Sequence, residues 1–337
     1  MTIVSIGPLT LESGEILPEA ELAYERCGKN GGPVIIVCHA LTGDQFAVGT
    51  EENPGWWSGL IGPGKAVDTE VFQVITFNVL GGCSGSTGPL SLNPETGKPY
   101  RGTFPALTIT DMVRAEYAAL KKLRISHAAA VLGGSLGGMK ALEWGHLYPG
   151  FVDAILPLAV TPAYSDYGIA FNYIGIQAIE NDADFNGGNY KDSAELKGFQ
   201  LARMAGMVTY RSGQLFNQRF GRSHNGQQFN VESYLTYQGE KLASRFDANS
   251  YLVLLKAMNT HDLREETINT EIFSLSFTQD LLYPSSLMIP WLKKNPKASW
   301  EIIETEFGHD GFLVEFEKWE GFIKEKLNKL IVPQLMR

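Results

Sequence analysis

Apolar residues fall along this chain in short runs and helical stripes that alternate. Residues 34–38 (VIIVC) make a β-branched run between GGP and HALTG, and residues 71–79 (VFQVITFNV) make another that leads into GGCSGSTGP. Both runs predict buried strands, and the Gly-, Ser- and Pro-rich segment predicts a structured loop. In residues 110–125, Met112, Ala115, Ala119 and Leu123 recur at helical spacing. That predicts a surface helix capped by Thr110 or Asp111. A strand at 128–132, a tight turn at 133–138, a helix at 139–148 and a strand at 151–158 follow. Strand, helix, strand at this pace predicts a parallel sheet.

The pattern changes from 161 to 263, where long helical stretches such as FQLARMAGMVTYRSGQLF carry no strand signal. Strand character returns at 272–277 and 300–303, and an amphipathic helix spans 312–330. At roughly 150 residues per domain, a chain of 337 residues could hold two domains. The two ends, however, read as parts of one sheet. The expected fold class is α/β, with a mostly parallel central sheet formed by residues 1–160 and 264–337 and a helical lid inserted at 161–263.

Charge narrows the chemistry: 28 Lys and Arg against 37 Asp and Glu leave a net −9, so there is no basic footprint for nucleic acid or anionic lipid. Small-molecule chemistry is the expectation. Cys27, Cys38 and Cys83 are odd in number and widely spaced, without CxxC or Cys/His metal spacing; a reduced compartment and no metal are expected. The N-terminus has no basic region followed by an apolar stretch, and no window reaches the ~18 apolar residues of a membrane span. These features predict a cytoplasmic protein.

Residues 133–137 (GGSLG) fit G-x-S-x-G between a predicted strand and a predicted helix, the context in which a sharp turn lifts a serine hydroxyl out of the sheet edge. Alone, the motif reads equally well as a Gly-rich turn with an incidental serine. An acid and a base in the order Ser, Asp, His change that balance. Asp280 follows the strand IFSLSFTQ, and His309 sits in FGHDGF after the next strand. Serine is a weak nucleophile at neutral pH, so His309 would take the Ser135 proton and Asp280 would orient and stabilise the imidazole. The turn opened by His39 and the residue after the serine suit an oxyanion hole, with the backbone N–H groups of Leu41 and Leu136 as donors. His127, His146, His224 and His261 read as surface or packing residues.

The chain resembles the homoserine O-acetyltransferases of the α/β-hydrolase fold. The resemblance rests on HALTG at 39–43, PGWW at 54–57, IGPGKAVDT at 61–69, NVLGGCSGSTGP at 78–89, GGSLGGMKALEW at 133–144, LARM at 201–204, TYRS at 209–212, RFGR at 219–222, RFDANSYL at 245–252 and GHDGFL at 308–313. It implies acetyl transfer from acetyl-CoA, as co-substrate and with no bound cofactor, to the hydroxyl of L-homoserine in methionine biosynthesis. The implied route is ping-pong through acetyl-Ser135. It further implies a homodimer formed through the helical lid, and it puts Arg203 and Asp310 at the positions that hold the substrate carboxylate and ammonium.

On a helix, Gln200, Arg203, Met207 and Tyr210 share a face, so the Arg203 guanidinium needs an anionic partner among apolar neighbours. A substrate carboxylate or an internal salt bridge would serve, Arg211 could take the same role, and Tyr210 is a candidate substrate contact. Asp310 could instead cap the following helix. Ile176 stands where the family usually has Arg, Ala183 and Phe185 replace its usual Pro and Trp, Gly311 stands where Ala is commoner, and Leu136 replaces Met. Loss of a lid cation would alter acceptor choice or remove a structural ion pair. O-succinyl transfer, acylation of serine, or ester hydrolysis by the same three residues are the alternatives.

Overall fold

A computed structural model describes residues 1–331. One sheet contains β1 (Thr2–Thr10), β2 (Ile16–Gly28), β3 (Val34–Cys38), β4 (Gln73–Phe77), β5 (Ala128–Gly134), β6 (Val152–Leu158), β7 (Glu271–Phe277) and β8 (Ala298–Ile303). Their spatial order is β1-β2-β4-β3-β5-β6-β7-β8. β2 is antiparallel to both its neighbours, and every pairing from β4 across to β8 is parallel. All residues of β3, β4 and β5 are buried. A parallel sheet covered on both faces needs such continuous apolar runs, which is why these strands were legible.

The β1–β2 hairpin was not anticipated. In β2, buried Leu17, Ala20 and Leu22 are interleaved with exposed Glu19 and Glu21, the pattern of a strand wet on one face. Register shifts between Ser5 and Gly7 and between Gly7 and Leu9 further blur the alternation in β1.

Helix α1 (Ile109–Lys122) starts slightly earlier than expected. Thr108, rather than Thr110 or Asp111, is its N-cap: the Asp111 N–H donates to the Thr108 hydroxyl, and the Asp111 carboxylate accepts the Thr108 N–H in return. Helix α2 (Leu136–Leu147) begins directly after Ser135 instead of at residue 139. Glycines 133 and 134 complete β5, so the expected six-residue turn shrinks to Ser135 itself.

Between β6 and β7 lie α3 (Asp166–Glu180), α4 (Lys197–Tyr210), α5 (Gly213–Phe220), α6 (Asn230–Ala243) and α7 (Ala248–Asn259). A two-residue ladder, His224–Asn225 against Gln228–Phe229, interrupts this otherwise helical segment. The entering and leaving strands of chain are laced together, the Tyr164 N–H donating to the His261 carbonyl at 3.1 Å and the Leu263 N–H to Pro162 at 2.7 Å. The helices therefore rise from a closed neck.

Helix α8 (Ser285–Leu292) was missed because Pro290, which normally breaks a helix, lies inside it. The expected final helix divides at Glu315 into α9 (Gly311–Val314) and α10 (Phe316–Ile331). The assigned end of the core at residue 337 lies outside the described residues.

Helices α1 and α2 share a fully buried ion pair, Lys140 with Glu116, and the Trp144 indole N–H donates to the second Glu116 oxygen at 3.1 Å. Removing one partner strands a charge in an apolar interior. Glu116→Leu is expected to cost about 3 to 5 kcal/mol, and Glu116→Leu with Lys140→Met to recover most of it. Urea unfolding midpoints of the two variants measure the difference.

Candidate active site

Four chain segments leave the sheet at the carboxyl ends of β3, β5, β7 and β8, where open parallel sheets place their ligand crevices. The segment after β5 is a single residue. Ser135 has φ 60° and ψ −124°, a left-handed strand-to-helix turn that non-glycine residues rarely adopt. Its geometry depends on Gly137, where an added Cβ would lie 2.1 Å from the Cys38 carbonyl oxygen. Only glycine lets α2 start so close beneath β3.

After β7 the chain turns through Gln279 at φ 61° to Asp280. One carboxylate oxygen of Asp280 accepts the Leu282 and Tyr283 N–H groups, both at 2.9 Å. The other accepts the His309 Nδ1 proton at 2.8 Å. His309 lies in the short turn Gly308–Asp310 that follows β8. With Nδ1 engaged, Nε2 is the nitrogen left for a substrate or serine proton. Burial pushes the His309 imidazole down, but the Asp280 charge, its hydrogen bond and the Asp310 charge outweigh burial and leave it above its ordinary value.

Ser135 and His309 line one cavity together with Leu41, Arg203, Tyr210 and Asp310. The structure thus brings together residues spread from position 41 to position 310. Ser135, Asp280 and His309 are all buried.

The loop after β3 is fixed by His39. Its Nδ1 lies 2.7 Å from the Ala40 carbonyl oxygen, which only accepts, and its Nε2 lies 3.0 Å from the Val79 N–H, which only donates. These partners define the neutral Nδ1–H tautomer. Burial, aided by the Lys140 charge, holds the ring neutral by pushing its pKa down to about 3. Arg245 ties the same loop from the helical side, donating to the Thr42 carbonyl at 3.0 Å. Leu41 sits within this doubly held loop, and Leu136 opens α2, where the first N–H groups of a helix have no partner within the helix.

The helix face expected to carry Gln200, Arg203, Met207 and Tyr210 divides: Gln200 and Met207 are buried in packing, while half-buried Arg203 and Tyr210 line the cavity. Arg203 has no ion pair among the described residues, so the internal salt bridge considered for it is absent. Its guanidinium lies 5.5 Å from the centre of the Tyr210 ring, and its Nε is buried without a partner. Arg211 is different, since its Nε donates to Asp310 Oδ2 at 3.0 Å. Asp310 makes no side-chain cap to α9, which removes the capping role considered for it.

Of the departures in the helical segment, Ile176 and Phe185 are absorbed by packing, whereas Ala183 is exposed. Ile176 is buried, and buried Phe185 stacks on Tyr190 with ring centres 5.9 Å apart. Three supporting residues escaped sequence reasoning, namely His39 in its clamping role, Arg245 and Tyr283. Their contacts join segments far apart in the chain, and no local pattern encodes them.

A family model for the alpha/beta hydrolase fold matches residues 33–316. The homoserine O-acetyltransferase of Methanocorpusculum labreanum is 43% identical over 98% of this chain and 73% of its own. The homoserine O-succinyltransferase of Halothiobacillus neapolitanus is 40% identical over 91% of this chain and 84% of its own. Among solved structures, the homoserine O-acetyltransferase of Bacillus anthracis superposes with a TM-score of 0.91 at 27% identity, covering 97% of both chains. Esterase E22 superposes with a TM-score of 0.89 at 26% identity, covering 97% of this chain and 99% of that one. Eight strands in this order, with a serine, an aspartate and a histidine at their carboxyl ends, define the α/β-hydrolase class. Within that class the chain belongs to the homoserine O-acetyltransferase family, a family of acyltransferases.

The electrostatics of His309 are open to direct measurement. Because the Asp280 charge favours the imidazolium, His309 should titrate above 6.5 and Asp280→Asn should move it down, whereas His39 should stay neutral until the pH approaches 3. Histidine-selective NMR titration of both proteins reads each ring.

Proposed function

We propose that this chain transfers an acetyl group from acetyl-CoA to the hydroxyl of L-homoserine by a ping-pong route, a step of methionine biosynthesis. The observation that carries this reading is the Arg203 guanidinium, unpaired by any described carboxylate and lining the cavity that holds Ser135 and His309. A cation held there without a counter-charge is suited to an anionic substrate group. Asp310 lines the same cavity, and Arg211 engages only its Oδ2, so Oδ1 is available to a substrate ammonium. A carboxylate and an ammonium on one small molecule describe an amino acid.

In this mechanism Ser135 Oγ attacks the thioester carbonyl while His309 Nε2 takes its proton. The Leu41 and Leu136 N–H groups stabilise the oxyanion, the C–S bond breaks, and His309 returns the proton to the departing CoA thiol. The homoserine hydroxyl, held through Arg203, Asp310 and Tyr210, then gives its proton to His309 and attacks the acyl carbon. Ser135 leaves and recovers the proton. The helices over the cavity favour transfer by limiting the access of water to the acyl-serine.

We further propose a homodimer formed through those helices. Exposed Tyr173 and Ile174 on α3, Leu201 and Val208 on α4 and Tyr237 on α6 support it. Cytoplasmic work with soluble CoA is part of the same reading, and no described helix is long and apolar enough to cross a membrane.

The deciding assay is thiol release from acetyl-CoA and from succinyl-CoA, with and without L-homoserine or L-serine, with the product identified by mass. Homoserine-dependent release from acetyl-CoA that yields O-acetylhomoserine, and is lost in Ser135→Ala, is the expected result. Preference for succinyl-CoA would make the chain a succinyltransferase like the Halothiobacillus relative, and acetate formed without an amino acid would make it an esterase like E22. Arg203→Met should raise the homoserine KM about 30-fold or more, the equivalent of about 2 kcal/mol for a buried charged contact. Its acyl-enzyme formation, followed by the burst of thiol, should stay near the parent rate.

A further inference from the structure

Tyr283 touches two members of the triad directly and stands beside the third, yet the mechanism above gives it no task. Its backbone N–H donates to Asp280 Oδ1 at 2.9 Å. Its ring stacks on His309, with centres 5.0 Å apart and planes inclined by 28°. Its side chain is fully buried, and its hydroxyl makes no hydrogen bond of good geometry. The Ser135 and Tyr164 hydroxyls lie beside it.

A buried, unpartnered hydroxyl is a cost that a phenylalanine in the same slot would avoid. Burial also holds the phenol well above its ordinary value, so it remains an O–H donor throughout the working pH range. We propose that Tyr283 is a positioning residue: its O–H donates to Ser135 Oγ when the serine reacts, fixing the oxygen so that the serine's own proton points to His309 Nε2. The proposal rests on Ser135 being the nucleophile.

A serine hydroxyl carries one proton and two lone pairs and otherwise rotates freely. A phenol donor occupies one lone pair, which leaves the other for attack and the proton for the base. Catalytic hydrogen bonds are commonly long or misaligned before substrate binds and tighten in the reacting complex, in keeping with the open geometry here. When the acyl-serine is later cleaved, the same donor faces the oxygen that must leave.

The test uses a fluorophosphonate, which labels an activated serine and needs neither CoA nor an amino acid. In the full chain, Tyr283→Phe keeps the ring on His309 and removes only the hydroxyl. Labelling of Ser135 should slow about ten- to hundredfold, by analogy with the removal of one donor from a reacting oxygen. The pH midpoint of labelling and the homoserine KM should not move. Labelling of Tyr283→Phe at the parent rate, with Ser135→Ala unlabelled, would overturn the positioning role and leave the nucleophile in place. Equal labelling of Ser135→Ala would instead remove the nucleophile reading, and this proposal with it. If Tyr283→Phe folds poorly, 3-fluorotyrosine placed at 283 keeps the shape and makes the phenol more acidic. A labelling rate that changes on fluorination supports the proposal, and an unchanged rate overturns it.

Discussion

Where α2 passes beneath the end of β3, backbone meets backbone with no room for a side chain. A Cβ on Gly137 would sit 2.1 Å from the Cys38 carbonyl oxygen, and one on Gly133 would sit 2.4 Å from the Gly137 carbonyl oxygen. This contact forces the passage from strand to helix into one residue, and that residue is Ser135. The strain at its φ of 60° is carried by the surrounding fold, through the Ser135 N–H on the Leu158 carbonyl and the Met139 N–H on the Ser135 carbonyl. The same close approach brings the first turn of α2 against the loop that contains Leu41. The strained turn at Ser135 and the closeness of Leu41 to the start of α2 are therefore consequences of one packing constraint.

Three buried histidines show how partners decide charge in this interior. His39, held by a carbonyl and an amide, is pushed down to about 3 by burial, with Lys140 adding to the effect. His261 falls to about 4 for the same first reason, only partly opposed by Asp262. His309 is equally buried, but the carboxylates of Asp280 and Asp310 face it and turn the balance upward. One ring is locked neutral as a clamp, and another is poised to accept a proton. The difference lies in the acceptors supplied by the ends of β7 and β8.

The helical segment adds a second kind of charge. Lacing of its neck at Pro162, Tyr164, His261 and Leu263 fixes where α3 and α7 leave the sheet, and α4 then carries Arg203 and Tyr210 over the serine. Arg211, one residue beyond α4, turns to Asp310 and shares its charge. Two guanidiniums separated by eight positions thus play different parts. One is neutralised within the protein, and the other lines the cavity with no ion pair among the described residues. Arg245 then connects this segment back to the loop after β3 at Thr42.

Much of this was legible in the order of the residues. Buried parallel strands need unbroken apolar runs, so β3, β5 and β6 stood out, and the G-x-S-x-G turn followed by an acid and a histidine after later strands named Ser135, Asp280 and His309. The β1–β2 hairpin and α8 did not stand out, because a half-wet edge strand with bulges and a helix containing Pro290 both contradict the local rules. Tertiary structure alone decided which arginine is free, that Asp310 pairs with Arg211 instead of capping α9, and that His39 and Tyr283 brace the site. Local sequence sets backbone preference and burial over a few residues, whereas an ion pair, a ring stack or an empty hydrogen-bond position depends on which distant segments the fold brings within a few ångströms.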